Sequence, residues 1–311
     1  MATVYTDTPH NFDKIESFVI IDTSTIVAEI YRRKRCYFYD ACSFRRHANL
    51  DARESECLLE YMKRQDGIVV ITRCILMELA SYSGILNQEY IQYIKDIKTF
   101  GINVLIMYEE DLFAIMDMCF GTNAAINSYL IWAVRMIKSP VSTITETFDQ
   151  NADLCDEVIK GKNSENRGIY KRFFETVRNN KESDDNLGEE MLAICLHILS
   201  HIPGEDDGKF CVITDDKSAG SKIDTLFQRT SDQHRGKKII IFSTPKLVPF
   251  MYAENILTDK ECMKAILSVG SNGNIVVLGT RNYDLRTNEI STSCDELADL
   301  IMTPNAIHII F

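Results

Sequence analysis

The chain reads as an α/β fold with a central, mainly parallel sheet, and three observations carry that reading. Short β-branched runs alternate with longer stretches of helical period. The 311 residues, 45% hydrophobic and 25% charged, can bury a large core in one elaborated domain or two modest ones. Acidic residues stand beside several of the short apolar runs, where an open parallel sheet presents its ligand crevice.

Taken in order, Phe18-Val19-Ile20-Ile21 predicts a first strand over 18–22, followed by helical period over 24–34 and 51–65. A second strand over 68–71 precedes helices over 73–83 and 87–100; a third over 103–107 precedes helices over 109–119 and 122–138. Residues 139–183 break the rhythm: Ser139-Pro140 opens a charged, Asn- and Lys-rich stretch that reads as a helical insertion or a mobile lid. Ser183 or Asp184 can cap a helix over 186–202, whose first turn carries the acids favoured by the macrodipole. Strands over 210–214 and 238–242 flank a helix over 217–229. From Pro245 the composition changes: Pro249, helical period over 258–269, a turn at Gly273, strand-like 275–280 and a final strand over 306–311. The expected organisation is a domain over 1–245, with an insertion at about 120–183, and a C-terminal α+β extension over 246–311.

No segment combines a basic start, an apolar stretch and a small-residue cleavage site, and no apolar run is long enough to span a membrane. A cytoplasmic protein without a membrane partner is the expectation. The ten cysteines occur singly, Cys36, Cys57, Cys74, Cys119, Cys195 and Cys211 among them, and predict reduced, mostly buried thiols. His197 and His201 stand one helical turn apart, without the Glu or third ligand that a zinc site needs. Trp132, with Tyr129 and Ile131, reads as core.

The net charge of −11 excludes indiscriminate binding along a nucleic-acid backbone. Positive charge is nonetheless clustered. Arg32, Arg33, Lys34, Arg35, Arg45 and Arg46 interleave with Tyr37, Phe38, Tyr39 and Phe44. Lys160, Lys162, Arg167, Lys171, Arg172, Arg178 and Lys181 lie around Tyr170, Phe173 and Phe174. Either segment can hold a single strand by phosphate pairing and base stacking, although Arg32 to Arg35 also suits a solvated helix end.

Four acidic stations carry the chemistry: Asp22, Glu78, Glu189 with Glu190, and Asp215-Asp216. Two unit charges about 4 Å apart repel by roughly 4 kcal/mol at an effective dielectric near 20, so converging carboxylates call for a hard divalent cation, magnesium or manganese. Taken singly, each station has a plain structural use: Asp22 as a helix cap, Glu189-Glu190 as a first-turn pair, Asp215-Asp216 as a turn. Glu78 is embedded among Ile75, Leu76, Met77, Leu79 and Ala80, a poor place for an unused charge.

In this order and context the chain resembles the PIN-domain nuclease family. The matching pieces are Val19-Ile20-Ile21-Asp22-Thr23-Ser24, Ile71 to Leu79 around Glu78, Leu187-Gly188-Glu189-Glu190, and Val212-Ile213-Thr214-Asp215-Asp216-Lys217. The resemblance covers about residues 17–245. It implies a three-layer PIN-like fold and makes Asp22, Glu78, Glu189 and Asp216 the catalytic and metal-binding acids. Asp215 competes for the last place, and Asp184 or Asp185 for the third; Ser24 and Thr214 are supporting residues. The implied activity is metal-dependent endonucleolytic cleavage of single-stranded RNA by a metal-activated water, in a toxin or a defence effector. DNA is the alternative substrate, and a catalytically inactive module binding RNA or protein the alternative role. An inhibitor or regulatory partner and a homo-oligomer are further expectations. Ser24 stands where a haloacid-dehalogenase-type phosphatase needs a second Asp, Ile26 breaks an integrin-type Asp-x-Ser-x-Ser site, and no Walker-type loop occurs.

Overall fold

The computed structural model describes residues 5–81, 83–137, 142–158, 168–182, 185–228, 234–282 and 286–311, with the backbone alone at 168–170. Helices α1 (Asp13–Glu16) and α2 (Thr23–Arg32) precede β1 (Arg35–Tyr39). Then α3 (Ala41–Ala48) and α4 (Ala52–Arg64) lead to β2 (Gly67–Thr72), and α5 (Arg73–Ala80) and α6 (Gln88–Thr99) to β3 (Val104–Met107). A 3-10 turn at Glu109–Asp111 opens a helical run: α7 (Leu112–Phe120), α8 (Asn123–Ile137), α9 (Thr143–Gln150), α10 (Ala152–Val158) and α11 (Gly168–Asn179). The sheet resumes after α12 (Leu187–Leu199) with β4 (Phe210–Ile213), α13 (Lys217–Gln228) and β5 (Ile240–Phe242). The chain continues through α14 (Thr244–Ala253), α15 (Lys260–Ser268), β6 (Asn274–Arg281), β7 (Asn288–Ser293), α16 (Cys294–Met302) and β8 (Ile307–Ile309).

Five parallel strands in the order β3-β2-β1-β4-β5 form the central sheet, with Phe38 of β1 in register with Val70 of β2 and Val212 of β4. Strand periodicity divides their side chains between two cores. Tyr37, Tyr39, Val69, Ile71, Val104, Ile106, Cys211 and Ile213 face one helical layer, and Cys36, Phe38, Ile68, Val70, Leu105, Met107, Phe210 and Val212 face the other. A sheet buried on both faces needs continuous apolar strands, and these runs supply them. The fold is therefore a three-layer α/β sandwich, as the alternating pattern predicts.

The expected first strand requires correction. Residues 18–22 make a single parallel bridge, Ile20 to Leu105, at the outer edge of β3. The central strand is instead β1, whose aromatic run Cys36-Tyr37-Phe38-Tyr39 lies inside the segment read as basic and aromatic. All four residues are at most 1% exposed.

The insertion is helical and packed: Ile144, Phe148, Leu154, Val158, Phe173 and Phe174 join the second core. Lys160, Lys162, Arg167, Ser183 and Asp184 lie outside the described residues. The extension holds a three-stranded antiparallel sheet, β7-β6-β8, in which β7 and α16 were not anticipated. The boundary at 245/246 falls inside α14, and Leu247, Val248 and Met251 share the first core with Cys211 and Ile213. The extension thus completes one face of the sheet. All ten cysteines are free, and among the described residues no helix is long and apolar enough to cross a membrane.

Candidate functional site

The chain builds β1, β2 and β3 outward on one side, then returns to place β4 and β5 on the other, so the strand order switches between β1 and β4. Loops diverge at such a seam and open a crevice at the carboxyl ends of the strands. Asp40 ends β1, and Thr214-Asp215-Asp216 ends β4. The Asp40 carboxylate caps α3 by accepting the Ser43 amide at 2.6 Å, and it also accepts the Thr214 hydroxyl. The Ser43 hydroxyl in turn accepts the Asp215 amide at 2.7 Å.

The Asp215 side chain is buried and committed: its carboxylate accepts the Thr244 amide at 2.6 Å and hydroxyl at 2.7 Å, with an Arg46 nitrogen at 3.2 Å. Asp216 uses one oxygen, Oδ1, to cap α13 through the amides of Ser218 (2.7 Å) and Ala219. No described hydrogen bond engages its Oδ2. Of the two, Asp216 has the oxygen available to a ligand.

Glu78, on α5, approaches the first turn of α12 because residue 188 is glycine: a Cβ there would lie 2.8 Å from Glu78 Oε2. Arg45 donates to the Glu78 carbonyl at 2.7 Å and stands 3.8 Å from its carboxylate, with Lys181 at 3.7 Å on the other oxygen. Glu189 pairs with Lys222 at 3.0 Å. Asp185 accepts Lys181 at 2.7 Å and the amides of Glu182 and Leu187, which fixes the loop before α12 and occupies both its oxygens. Glu190 turns from the crevice to accept the Ser142 hydroxyl and the Ile144 amide of α9.

Burial pushes Asp40 up to about 7, with the charges of Asp215 and Glu78 adding to the rise despite the hydrogen bonds that oppose it. Glu189 is also raised by burial; Lys222 opposes that shift, and Asp216 and Glu78 reinforce it. These shared repulsions mark Asp40, Glu78, Glu189, Asp215 and Asp216 as one electrostatic unit.

Asp22 does not belong to it. Ile20, two residues before it and bridged to Leu105 of β3, lies three strand steps from β1 and four from β4, about 14 and 19 Å at roughly 4.8 Å per step. Asp22 is the N-cap of α2, where Ser24, Thr25 and the Thr25 amide donate to it and hold its carboxyl down at about 2. Ser24 supports a cap, and Thr214 supports Asp40. Asp40 itself was legible in principle: Tyr37-Phe38-Tyr39-Asp40-Ala41-Cys42-Ser43 repeats the order of apolar run, acid and hydroxyl that drew attention to Asp22.

The expected nucleic-acid tracks are also redrawn. Tyr37, Phe38, Tyr39, Phe44, Phe173 and Phe174 are core residues and offer no face to a base. Arg32, Arg33, Lys34 and Arg35 lie at the amino end of β1, opposite the crevice; Arg32 and Arg33 pair with Glu29, and Arg33 also with Asp66. Lys171 pairs with Glu175 and Arg172 with Glu157. Among the described residues, Arg45 and Arg46 are the bases of the first segment that reach the carboxylates. Lys181, counted in the second basic segment, and Lys222, which no motif flagged, join them there.

Among the described residues, no group of three or more His, Cys, Asp or Glu side chains is disposed to hold a metal ion as it stands. Donor chemistry and charge nevertheless suit a hard divalent cation. Six carboxylates (Asp40, Glu78, Asp185, Glu189, Asp215, Asp216) face four cations (Arg45, Arg46, Lys181, Lys222), leaving two negative charges when all are ionised. Holding an ion requires Glu189 to release Lys222, and Glu78 to leave Arg45 and Lys181.

His197 and His201 sit in an aromatic nest. Tyr129 bonds His197 Nδ1 at 2.8 Å, while Trp132 packs on His197 and His234 at 4.9 Å each. No family model, no curated protein and no solved structure matches the chain.

Proposed function

We propose that the chain is a metal-dependent phosphodiesterase of PIN type that cuts single-stranded RNA, with Asp40, Glu78, Glu189 and Asp216 as its acidic residues. One observation carries the reading: electrostatically coupled carboxylates from β1, α5, α12 and β4 gather at the switch point of a parallel sheet. Magnesium or manganese held there would supply Lewis acidity and an activated water. Asp40 is the anchored acid, fixed by Ser43 and Thr214. Glu78, Glu189 and Asp216 bring oxygens from the two sides of the crevice. Lys222, once parted from Glu189, would offer its ammonium to a phosphate oxygen, whereas Lys181 is buried and paired with Asp185.

A second reading has its own support. Lys222 on Glu189, Lys181 on Asp185 and Arg46 on Asp215 already neutralise much of the crevice. A module so balanced can bind RNA or a protein without cutting. Labelled single-stranded RNA and DNA, incubated with manganese, magnesium or chelator, separate the two. Metal-dependent product supports the nuclease and chooses its substrate; metal-independent RNA binding that never yields product supports the binding module.

A further inference from the structure

A groove of ≈ 690 Å³ runs beside the crevice, between α13, the free edge of β5 and the end of the extension. Its volume falls within the range of about 300–1,000 Å³ typical of ligand sites. Among the described residues, Lys217, Arg235, Lys237, Lys238 and Lys246 line it against a single acid, Asp224. In a chain of net charge −11 this is a local reversal of sign. Among the described residues, Arg235, Lys237 and Lys238 are exposed and enter no ion pair, whereas Lys217 is paired with Glu289.

The floor is apolar. Phe227, Ile239, Ile241 and Phe311 contribute to it, and Gly220 is what admits the Phe311 ring, since a Cβ there would lie 2.8 Å from Phe311 Cε2. Cations on the rim above an apolar, partly aromatic floor match a ligand with regularly spaced anions and flat, weakly polar rings. An acidic peptide has the anions without the rings.

Position adds direction. Lys217, at one end of the groove, directly follows Asp216 of the crevice, and the 12 residues of α13 extend about 18 Å along it at 1.5 Å per residue. We propose that this groove binds single-stranded RNA, holding the part of the strand that flanks the phosphate in the crevice. The assignment of register rests on the nuclease reading; the binding itself does not.

The test is fluorescence anisotropy of a labelled single-stranded oligouridylate with the full chain in chelator, where no cleavage occurs. The groove variant carries Arg235→Glu, Lys237→Glu and Lys238→Glu; a control carries Lys14→Glu, Lys63→Glu and Lys98→Glu on α1, α4 and α6, an equal charge change away from the groove. Thermal unfolding checks that both fold. The groove variant should bind about tenfold more weakly or worse, and its dependence of log affinity on log salt should be shallower by about 2, at roughly 0.7 per lost phosphate contact. The control should lose far less. Equal losses in the two variants, no RNA binding by the wild type, or tighter binding of oligoglutamate than of RNA would each overturn the proposal. A wild type that binds through the groove yet never cuts with metal refutes the nuclease reading alone. One that cuts but ignores the groove substitutions refutes the groove alone.

Discussion

The Thr214 hydroxyl donates to the Asp40 carboxylate across the seam between β1 and β4, and the Ser43 hydroxyl accepts the Asp215 amide across the same seam. These bonds fix an acid that burial has pushed up to about 7 in the place where the strand order switches. An acid held there at the cost of desolvation, beside Glu78 and Asp215, is poised to gain from a nearby cation.

Asp40→Asn keeps the size of the side chain and removes its charge. With manganese present, it should lower RNA cleavage by about a hundredfold or more, the scale of losing a key electrostatic group. Asp22→Asn, at an exposed helix cap where Asn serves as well as Asp, should leave cleavage within about twofold and stability close to that of the wild type. Rates for the two variants measured side by side decide between the acids. An inactive Asp22→Asn beside an active Asp40→Asn would reverse the assignment.

Gly188→Ala offers a different probe. In an ordinary helix this change stabilises by about 1 kcal/mol. Here the new methyl group would lie 2.8 Å from Glu78 Oε2 and 3.2 Å from Ile75 Cδ1, so the flexible Glu78 carboxylate must move. Denaturation should show stability close to that of the wild type, while cleavage falls about tenfold or more. Undiminished cleavage would show that the position of Glu78 is immaterial.

The layered α/β architecture and most of its elements were legible, because helices with a strong apolar period and strands buried on both faces leave distinct patterns. The runs at Ile68–Ile71 and Phe210–Ile213 are unambiguous. Ile20 and Tyr37 explain the principal miss. Phe18 to Ile21 has the composition of a core strand but a single bridge, whereas Cys36 to Tyr39 is the middle of the sheet, masked by Arg32 to Arg35 and Arg45-Arg46 on either side. Local composition does not report strand order, so the run before Asp22 was read as the sheet strand and Asp40, beside the central strand, was passed over. Glu78, Glu189 and Asp216 stand in the helix and strand contexts expected of them because those contexts are local. The role of Lys222 was hidden, since its pairing with Glu189 spans 33 residues and depends on how α12 meets α13.

Arg178 ties the inserted helices to the body of the fold. It donates to Glu109 at 2.8 Å, to Glu110 at 2.5 and 2.9 Å, and to Asp7 at 2.9 Å, and both Arg178 and Glu109 are buried. Arg178→Met leaves Glu109 without its guanidinium and should cost about 3–5 kcal/mol in urea denaturation. Adding Glu109→Gln should recover part of that loss. If the double variant is no more stable than the single one, the cost lies in packing rather than in the stranded charge.

The histidine nest sets a pH dependence of defined sign. Burial lowers His197 to about 2 and also lowers His201 and His234, whereas in the unfolded chain each titrates near 6.5. The unfolded state therefore takes up the proton first, and stability present above about pH 6.5 is lost as the pH falls. Asp40 and Glu190, both raised to about 7, act oppositely: their contribution is full below about pH 4 and is lost as the pH rises toward 7. The two groups offset each other in the wild type, so its total curve conceals both. A difference measurement separates them. His197→Gln should erase the His197 share, about 1.4 kcal/mol per pH unit below 6.5, so the stability gap between wild type and variant should narrow by about 2 kcal/mol from pH 8 to pH 5. A gap that stays constant with pH would mean that His197 is not held neutral in the folded protein.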